Sequence, residues 1–287
     1  MIFVTVLFTV LSVCMFYLLV KDFKLSDQPL FLSIIFTILP GRWVIVHSVG
    51  SPEPIFIFFI LACFYLFMKF EQSKKSLFLW VAAVAAMLAQ FTRPPGLLLF
   101  IAIALYIHWR YLIMEKGVSL FQKIKLHLKY YPFLLIPVGL LAIFYLYSQT
   151  LGDFFAYFHS GDNIHLTLPP FQIFNKNQYW VGDIWLEDIL YIFIVGFSAG
   201  LVLLKKKLYP MAFFVLTYLA ASTLIAHRDI SRYTLPVMPF VIIAFENFLT
   251  SKEFKIVLII VGLGIYLYSQ NFIINNVAPI PNLSLFN

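Results

Sequence analysis

Charged residues are what this 287-residue sequence has least of. Only 11% of its residues are charged, whereas 62% are hydrophobic and 19% are aromatic. A soluble domain carries about a quarter charged residues, so this composition excludes an ordinary water-soluble protein. The apolar runs are continuous rather than alternating, which also excludes the strands of a membrane β-barrel. The class that remains is a polytopic helical membrane protein.

Cysteine is scarce too, and metal-ligating patterns are missing. Cys14 and Cys63 each lie inside an apolar run, which is typical of small packing residues and indicates neither a disulfide nor a nucleophile. The histidines do not follow a metal-ligand spacing such as HExxH. We therefore expect no metal and no cofactor.

The long apolar runs predict an all-α transmembrane bundle that occupies residues 1–287 as a single membrane domain. A helix needs roughly 20 apolar residues to cross a hydrocarbon core of about 30 Å. On this basis the sequence predicts ten crossings. They lie at about residues 2–20, 29–40, 54–70, 76–92, 95–110, 130–148, 187–204, 209–226, 233–249 and 255–271.

Two proline-rich sites and one long loop interrupt this pattern. Pro40-Gly41 breaks the second crossing early, and Pro94-Pro95-Gly96 predicts a tight turn between the fourth and fifth. Residues 149–186 form the one long polar loop, and aromatic residues in it are typical of a segment in the lipid headgroup layer. These aromatic residues are Tyr179, Trp180 and Trp185.

Basic residues divide unequally between the two sides of such a bundle. When successive connections are assigned alternately, fifteen of the 20 lysines and arginines fall on one side. The larger set is Lys21, Lys24, Lys69, Lys74, Lys75, Arg110, Lys116, Lys123, Lys125, Lys129, Lys205, Lys206, Lys207, Lys252 and Lys255. The smaller set is Arg42, Arg93, Lys176, Arg228 and Arg232. By the positive-inside rule the larger set is cytoplasmic, so the net charge of +7 reflects orientation in an inner membrane and not nucleic-acid binding.

This orientation places both ends of the chain on the extracytoplasmic side, because the first crossing ends at the cytoplasmic Lys21. A chain that begins outside the cell needs a signal that directs its N-terminus across the membrane, and this sequence does not have the basic start of a signal peptide. The simplest interpretation is that an earlier helix and outer loop precede this sequence or come from a separate N-terminal fragment. A reversed first anchor or a signal peptide is the alternative.

Groups capable of chemistry gather on the outer side of the predicted bundle. They are Glu53, Asp153, Asp162, Asp183, Glu187, Asp188, Asp229, His47, His159, His165 and His227. The stretch AHRDISRYTLPVMP, residues 226–239, is the densest part, with four titratable side chains between two apolar runs. Arginine is costly near the membrane centre, so its placement at these helix ends needs a reason.

The outer arginines predict a phosphate site. Arg228 and Arg232 are four residues apart and would project from one face of a continuing helix. Arg93 lies at the end of a hairpin, where an uncharged residue would have a lower free-energy cost of membrane insertion. Guanidinium groups form forked hydrogen bonds with phosphate, so we predict that these three arginines bind one together. The alternative for each arginine is an anchor to lipid headgroups.

Other residues on this side are candidates for proton transfer or substrate binding. Glu53 and Asp229 are the candidate catalytic carboxylates, either as proton carriers or as groups that orient the arginines. For Glu53 the alternative is a charge that favours a helix N-terminus. Tyr233, His227 and His47 are candidate substrate-binding residues, although a lone histidine at an interface is more often structural.

Four pieces of the sequence, in this order, resemble a known family. They are HSVGSPEPIFIFFILACFYLF, LAQFTRPPGLLL, LTLPPF and SRYTLPVMPFVIIAFENFL, and they cover roughly residues 30–249. The ordered set resembles GT-C glycosyltransferases, in particular bacterial relatives of the GPI mannosyltransferase PIG-V. Such enzymes are polytopic helical proteins that take a sugar from a polyprenyl-phosphate carrier on the outer face of the membrane.

The resemblance implies a membrane glycosyltransferase that moves a mannose-like hexose from a polyprenyl-phosphate donor to a glycan, lipid or protein acceptor. In the mechanism it implies, an acceptor hydroxyl attacks the anomeric carbon, a carboxylate takes the proton and arginines stabilise the leaving phosphate. It also implies a catalytic aspartate in the first outer loop, and this sequence begins after that loop. Two rival interpretations stay open: a transporter or lipid flippase, and a non-catalytic remnant or partner subunit of a glycosyltransferase.

Overall fold

The structure is a computed structural model that describes residues 1–111, 119, 121, 127–159, 166–178, 181, 186–227 and 229–275. Over these ranges the chain is helical and contains no strand, which confirms the predicted all-α class. The longer helices are α1 (Ile2–Asp22), α2 (Pro29–Ile38), α3 (Gly41–Ser48), α4 (Glu53–Ser73), α5 (Ser76–Thr92), α6 (Leu97–Trp109), α7 (Leu135–Leu151), α8 (Glu187–Lys205), α9 (Tyr209–Ser222), α10 (Met238–Ala244) and α11 (Lys252–Asn275). Short helical turns lie at Pro94–Gly96, Tyr131–Leu134, Ala156–His159, Gln172–Phe174, Ile230–Tyr233, Leu235–Val237 and Glu246–Leu249.

Several of these helices are long and apolar enough to cross a membrane, so the chain is a membrane protein. In the described part of the chain there are five such helices, and six if α2 and α3 form one bent span. The five are Ile2–Asp22, Glu53–Ser73, Tyr131–Leu151, Glu187–Lys205 and Lys252–Ile274. The other predicted crossings correspond to shorter apolar helices of 10–17 residues. At 1.5 Å per residue these are shorter than a hydrocarbon core, so length alone supports five or six crossings and the rest of the predicted ten stay a prediction.

Both predicted proline interruptions are present in the structure. The axes of α2 and α3 differ by 71° across Leu39 and Pro40, because proline cannot donate the helical hydrogen bond. Pro94–Gly96 forms a short 3-10 turn between α5 and α6. The aromatic residues Tyr179, Trp180 and Trp185 lie outside the described residues.

Helix α4 is the centre of the bundle. One long series of its side chains is completely buried, including Phe64 and Phe67. The Phe64 ring packs against the rings of Phe214 in α9 and Phe240 in α10, with centroids 5.4 and 4.8 Å away. Helices α1 and α5 pack along α4, whereas α11 exposes most of its apolar side chains, as expected of a helix that faces lipid.

Ion pairs lie at both ends of the bundle. At one end the pairs are Lys69 with Asp22 at 3.0 Å, Lys206 with Glu246 at 3.2 Å, and Glu71 with both Lys74 and Arg110. At the end where α4 begins and α5 finishes, the pairs are formed by arginines. This division is the one that the sequence predicts, and the cytoplasmic assignment of the lysine end stays a prediction.

Cysteine labelling tests that orientation. Lys75 and Thr150 are both exposed, in the α4–α5 turn and near the end of α7 respectively. In a background without Cys14 and Cys63, we expect a membrane-impermeant thiol reagent added to intact cells to label Thr150→Cys and to leave Lys75→Cys unlabelled until the cells are broken. Labelling of both variants from the same side would contradict the topology.

Candidate functional site

Glu53 lies at the start of α4 and is completely buried. The prolines on either side favour a helix start here, because proline is tolerated in the first turn. The Ser51 hydroxyl donates a hydrogen bond to Oε2 of Glu53. Two hydroxyls of the otherwise apolar α1 hold this turn: Thr5 exchanges hydrogen bonds with the backbone of Ser51, and Ser12 donates to the Pro54 carbonyl at 3.0 Å. The local structure therefore fixes where the carboxylate points.

Arg93 reaches Glu53 from the end of α5. Because it precedes a proline, Arg93 is extended, and the helix stops at Thr92. Its Nη1 donates to Oε1 of Glu53 at 2.8 Å. The guanidinium also lies over the ring of Tyr233, with 5.6 Å between its carbon and the ring centroid.

Arg232 donates to the same carboxylate oxygen from a short helix much later in the chain. It belongs to the short helix Ile230–Tyr233, and its Nε donates to Oε1 of Glu53 at 2.6 Å. The hydroxyl of Tyr218 in α9 donates to the Tyr233 carbonyl at 3.1 Å and ties this turn to the bundle. Glu53, Arg93 and Arg232 form what we call the arginine–glutamate triad.

The triad brings together residues that are 40 and 179 positions apart in the chain. An ionised carboxylate without water is very unfavourable unless it is paired and hydrogen-bonded. Here both oxygens of Glu53 accept hydrogen bonds and two guanidinium groups neutralise it. Each arginine uses one of its five N–H donors on Glu53, and the structure shows no other described acceptor for the rest. The remaining donors are available to an anion.

A second ion pair borders the triad. Nη2 of Arg42 in α3 donates to Oδ1 of Asp229 at 2.5 Å, and the Arg42 guanidinium lies 4.4 Å from the ring centroid of Phe272 in α11. Asp229 is also close enough to Arg232 to interact with it electrostatically. Arg42 was not among the predicted site residues. The signal for it was its membership of the small set of outer basic residues.

The predicted histidines occupy different surroundings. The Asp229 N–H donates to Nδ1 of His227 at 3.0 Å, and the His227 ring lies 5.3 Å from the ring of Tyr233, which places His227 beside the triad. His47 instead packs edge-on against Trp43 of its own helix. The His47 Nδ1 is buried and has no hydrogen-bond partner among the described residues.

Two further predictions concern Arg228, which lies outside the described residues, and the titratable residues of the long loop. Arg228 is not described. In the long loop, Nδ1 of His159 lies 2.6 Å from Oδ2 of Asp153. This hydrogen bond holds the pKa of the exposed Asp153 carboxyl below its usual value. Within the described ranges, His, Cys, Asp and Glu form no group of three that could hold a metal ion, and the absence of a metal stays a prediction.

Two hollows include sequence neighbours of the site arginines. An almost entirely apolar groove of about 650 Å³ runs between the α2–α3 break, α8, α10 and the short helix Glu246–Leu249, and its Leu39 and Pro40 immediately precede the helix that carries Arg42. A second cavity of about 380 Å³ lies between α5 and α7, and its wall includes Thr92 and Pro94, the neighbours of Arg93.

Comparison with known proteins gives a distant relative and no family. The chain is 26% identical over 248 residues to an uncharacterized protein of Aquifex aeolicus (strain VF5), and the match covers 83% of this chain. It covers 46% of that protein, so the chain spans about half the length of this curated relative. No family model and no solved structure matches.

Replacing Glu53 tests the structural importance of the triad. Glu53→Gln keeps the side-chain shape but leaves Arg93 and Arg232 against a neutral amide in a buried site. Breaking a buried ion pair in this way costs about 3–5 kcal/mol. We therefore expect a clear loss of thermal stability for the purified protein in detergent.

The matched control is Glu253→Gln, the same change at an exposed position of α11. We expect it to leave the melting temperature nearly unchanged. Equal melting temperatures for the two variants would mean that the Glu53 carboxylate does not hold the arginines.

Proposed function

We propose that this protein is a GT-C-type glycosyltransferase that moves a hexose from a polyprenyl-phosphate donor to an acceptor at the extracytoplasmic face of an inner membrane. The observation that carries the proposal is the convergence of Arg93 and Arg232 on the buried Glu53 at one end of the bundle. The sugar is mannose-like by the sequence resemblance. The acceptor is a glycan, a lipid or a protein.

The charge of this end supports a phosphate-bearing donor. Arg42, Arg93 and Arg232 face the carboxylates of Glu53 and Asp229, which leaves one positive charge among these groups. A sugar linked to a lipid through a phosphodiester carries one negative charge and would balance it. The predicted third arginine, Arg228, would add to this attraction.

The apolar groove supports a lipid-linked donor rather than a soluble sugar nucleotide. A polyprenyl chain is apolar throughout and matches a groove lined by residues such as Ile194, Val195 and Phe245. One end of the groove lies beside the break between α2 and α3, two residues from Arg42. A donor with its tail in the groove would therefore have its phosphate near the arginines.

The reaction requires one bond to form and one to break. The acceptor hydroxyl oxygen bonds to the anomeric carbon, the bond between that carbon and the phosphate oxygen breaks, and its electron pair leaves with the lipid phosphate. Arg93 and Arg232 stabilise the charge that develops on this phosphate, which lowers the barrier because the donors are already oriented. The acceptor proton passes to a carboxylate.

Glu53 and Asp229 take different parts in this scheme. Glu53 accepts hydrogen bonds on both oxygens and is inaccessible to an acceptor, so we assign it the orientation of the two arginines. Asp229 is partly exposed and pairs with Arg42 through Oδ1 alone. Asp229 is therefore the candidate proton acceptor in this chain, beside the first-loop aspartate that the family resemblance implies.

The proposal includes the finer membrane topology. In a GT-C-like bundle the shorter helices α5, α6 and α9 and the segment Ile230–Ala244 also cross the bilayer, which gives ten crossings with α2 and α3 as one. The lysine-bearing end faces the cytoplasm and the triad faces the opposite side.

Substitution of the arginines tests the phosphate assignment. Removing one preoriented donor to a developing oxyanion typically costs 10²–10³ in rate. We expect Arg93→Ala and Arg232→Ala each to lower transfer of radiolabelled sugar from a polyprenyl-phosphate donor by about that factor in membranes that contain the folded protein. Lys176→Ala is the control, because Lys176 is an exposed basic residue of the long loop, and it should leave transfer unchanged.

Binding of the sugar-free carrier separates this proposal from its rivals. Weaker binding of polyprenyl phosphate by Arg93→Ala, together with lost transfer, supports the enzyme. Carrier binding and translocation without any transfer would indicate a flippase, and unchanged transfer in both arginine variants would refute the phosphate site.

A further inference from the structure

The wall of the cavity between α5 and α7 includes a residue with a buried amide that the protein itself does not satisfy. Gln90 lines this cavity and is 1% exposed. Neither its Oε1 nor its Nε2 has a hydrogen-bond partner among the residues that the structure describes. Buried polar groups are almost always paired, because each unpaired one destabilises the fold. Both amide atoms are inaccessible in this conformation, so rotation of the Gln90 side chain toward the cavity is what brings them to a ligand that supplies both a donor and an acceptor.

The packing around Gln90 holds it at this place. Gly96 lies so close to Gln90 that an added Cβ would approach its backbone to 2.5 Å. Across the cavity, a Cβ at Gly139 of α7 would lie 2.8 Å from the Phe91 ring, so α5 and α7 are in contact there. From Leu140 to Leu151, α7 lines the cavity instead of filling it. The hollow is therefore bounded by close helix contacts and is not a loose gap.

The rest of the wall combines hydroxyl groups with aromatic rings. Thr92, Tyr147 and Tyr157 contribute hydroxyls, and Phe91 and Phe144 contribute apolar ring faces. The Phe144 ring is itself supported by edge-on contacts with Phe154 and Phe158. Charged side chains are absent from this wall among the described residues, so the ligand that fits is neutral.

A sugar ring matches this set of groups. Adjacent ring hydroxyls both donate and accept, as the Gln90 amide does, and the C–H face of a pyranose packs on aromatic rings. The cavity volume of about 380 Å³ lies in the range of small-molecule sites. It borders the phosphate site, because Thr92 and Pro94 flank Arg93 and Tyr157 is close enough to interact with Arg93 electrostatically.

We propose that the cavity between α5 and α7 binds a pyranose ring, with the Gln90 amide as its central hydrogen-bonding group. The choice of a sugar among neutral hydroxyl-rich ligands rests on the proposed glycosyltransferase function. The ring belongs either to the lipid-linked donor or to the acceptor.

The test uses Gln90→Leu, which keeps the size of the side chain and removes the amide. For the full chain in detergent without ligand, we expect a melting temperature equal to or above that of the wild type, because an unpaired buried amide is lost. Methyl hexosides at saturating concentration should raise the wild-type melting temperature by about 3 °C and that of Gln90→Leu by none. Gln149→Leu, at an exposed position of α7, should respond like the wild type.

A second variant tests the space rather than the amide. Ala156 lines the same cavity, and Ala156→Phe should fill it and abolish the response to methyl hexosides. A lower ligand-free melting temperature for Gln90→Leu would mean that the amide is structural. Either that result or an unchanged hexoside response in both cavity variants would overturn the proposal.

Two lipid probes identify the source of the ring and keep this test separate from the proposed function. If the donor sugar occupies the cavity, Gln90→Leu weakens binding of polyprenyl-phospho-hexose and leaves binding of polyprenyl phosphate intact. If the acceptor occupies it, both lipids bind Gln90→Leu normally and only the methyl hexoside response is lost. Failure of the glycosyltransferase proposal would show instead as absent transfer in the wild type, with the hexoside response still dependent on Gln90.

Discussion

A carboxylate that no water can reach must be neutralised by the protein, and in this chain that requirement falls on Glu53. Its side chain is completely buried, and the two guanidinium groups that neutralise it come from the end of α5 and from the turn before α10. Satisfying one oxygen atom therefore fixes the relative positions of three distant parts of the chain. The same arrangement leaves donors of Arg93 and Arg232 directed away from Glu53. In the proposed function, an ion pair that is costly to bury serves at this end of the bundle as a rigid support for an anion.

The surroundings of the triad include both polar and apolar surfaces. The second pair, Arg42 with Asp229, couples the bent segment of α2 and α3 to the triad, and Phe272 brings α11 against it. The apolar groove and the cavity lined by Gln90 share no lining residue, and each includes sequence neighbours of one of these arginines. In the proposed function, the groove takes the lipid tail, the arginines take the charged linkage and the cavity takes the neutral ring.

Much of the fold followed from composition and spacing, and parts of the site did not. Continuous apolar runs predicted the helices, and proline predicted the break at Pro40 and the turn at Pro94, because both signals are local. The number of crossings was less certain, since a helix such as α9 is apolar but only 14 residues long. Charge scarcity singled out Glu53, Arg93 and Arg232 individually, yet their common oxygen atom depends on packing across 179 residues. Gln90 carried no signal at all, because a single amide in an apolar helix resembles any tolerated polar residue until its missing partners are seen.

The order of the triad along the chain has a consequence for biogenesis. Glu53 and Arg93 lie at the open end of the α4–α5 hairpin, so the first two members of the triad are synthesised as one neutral unit. A hairpin that carries a mutually neutralised pair enters a bilayer at lower cost than either charged helix end alone. Asp229 and Arg232 come much later in the chain, and their opposite charges leave the net charge of this group unchanged while pairing with Arg42 and Glu53. The two guanidinium groups therefore meet at one carboxylate oxygen only after α1 to α9 have been synthesised.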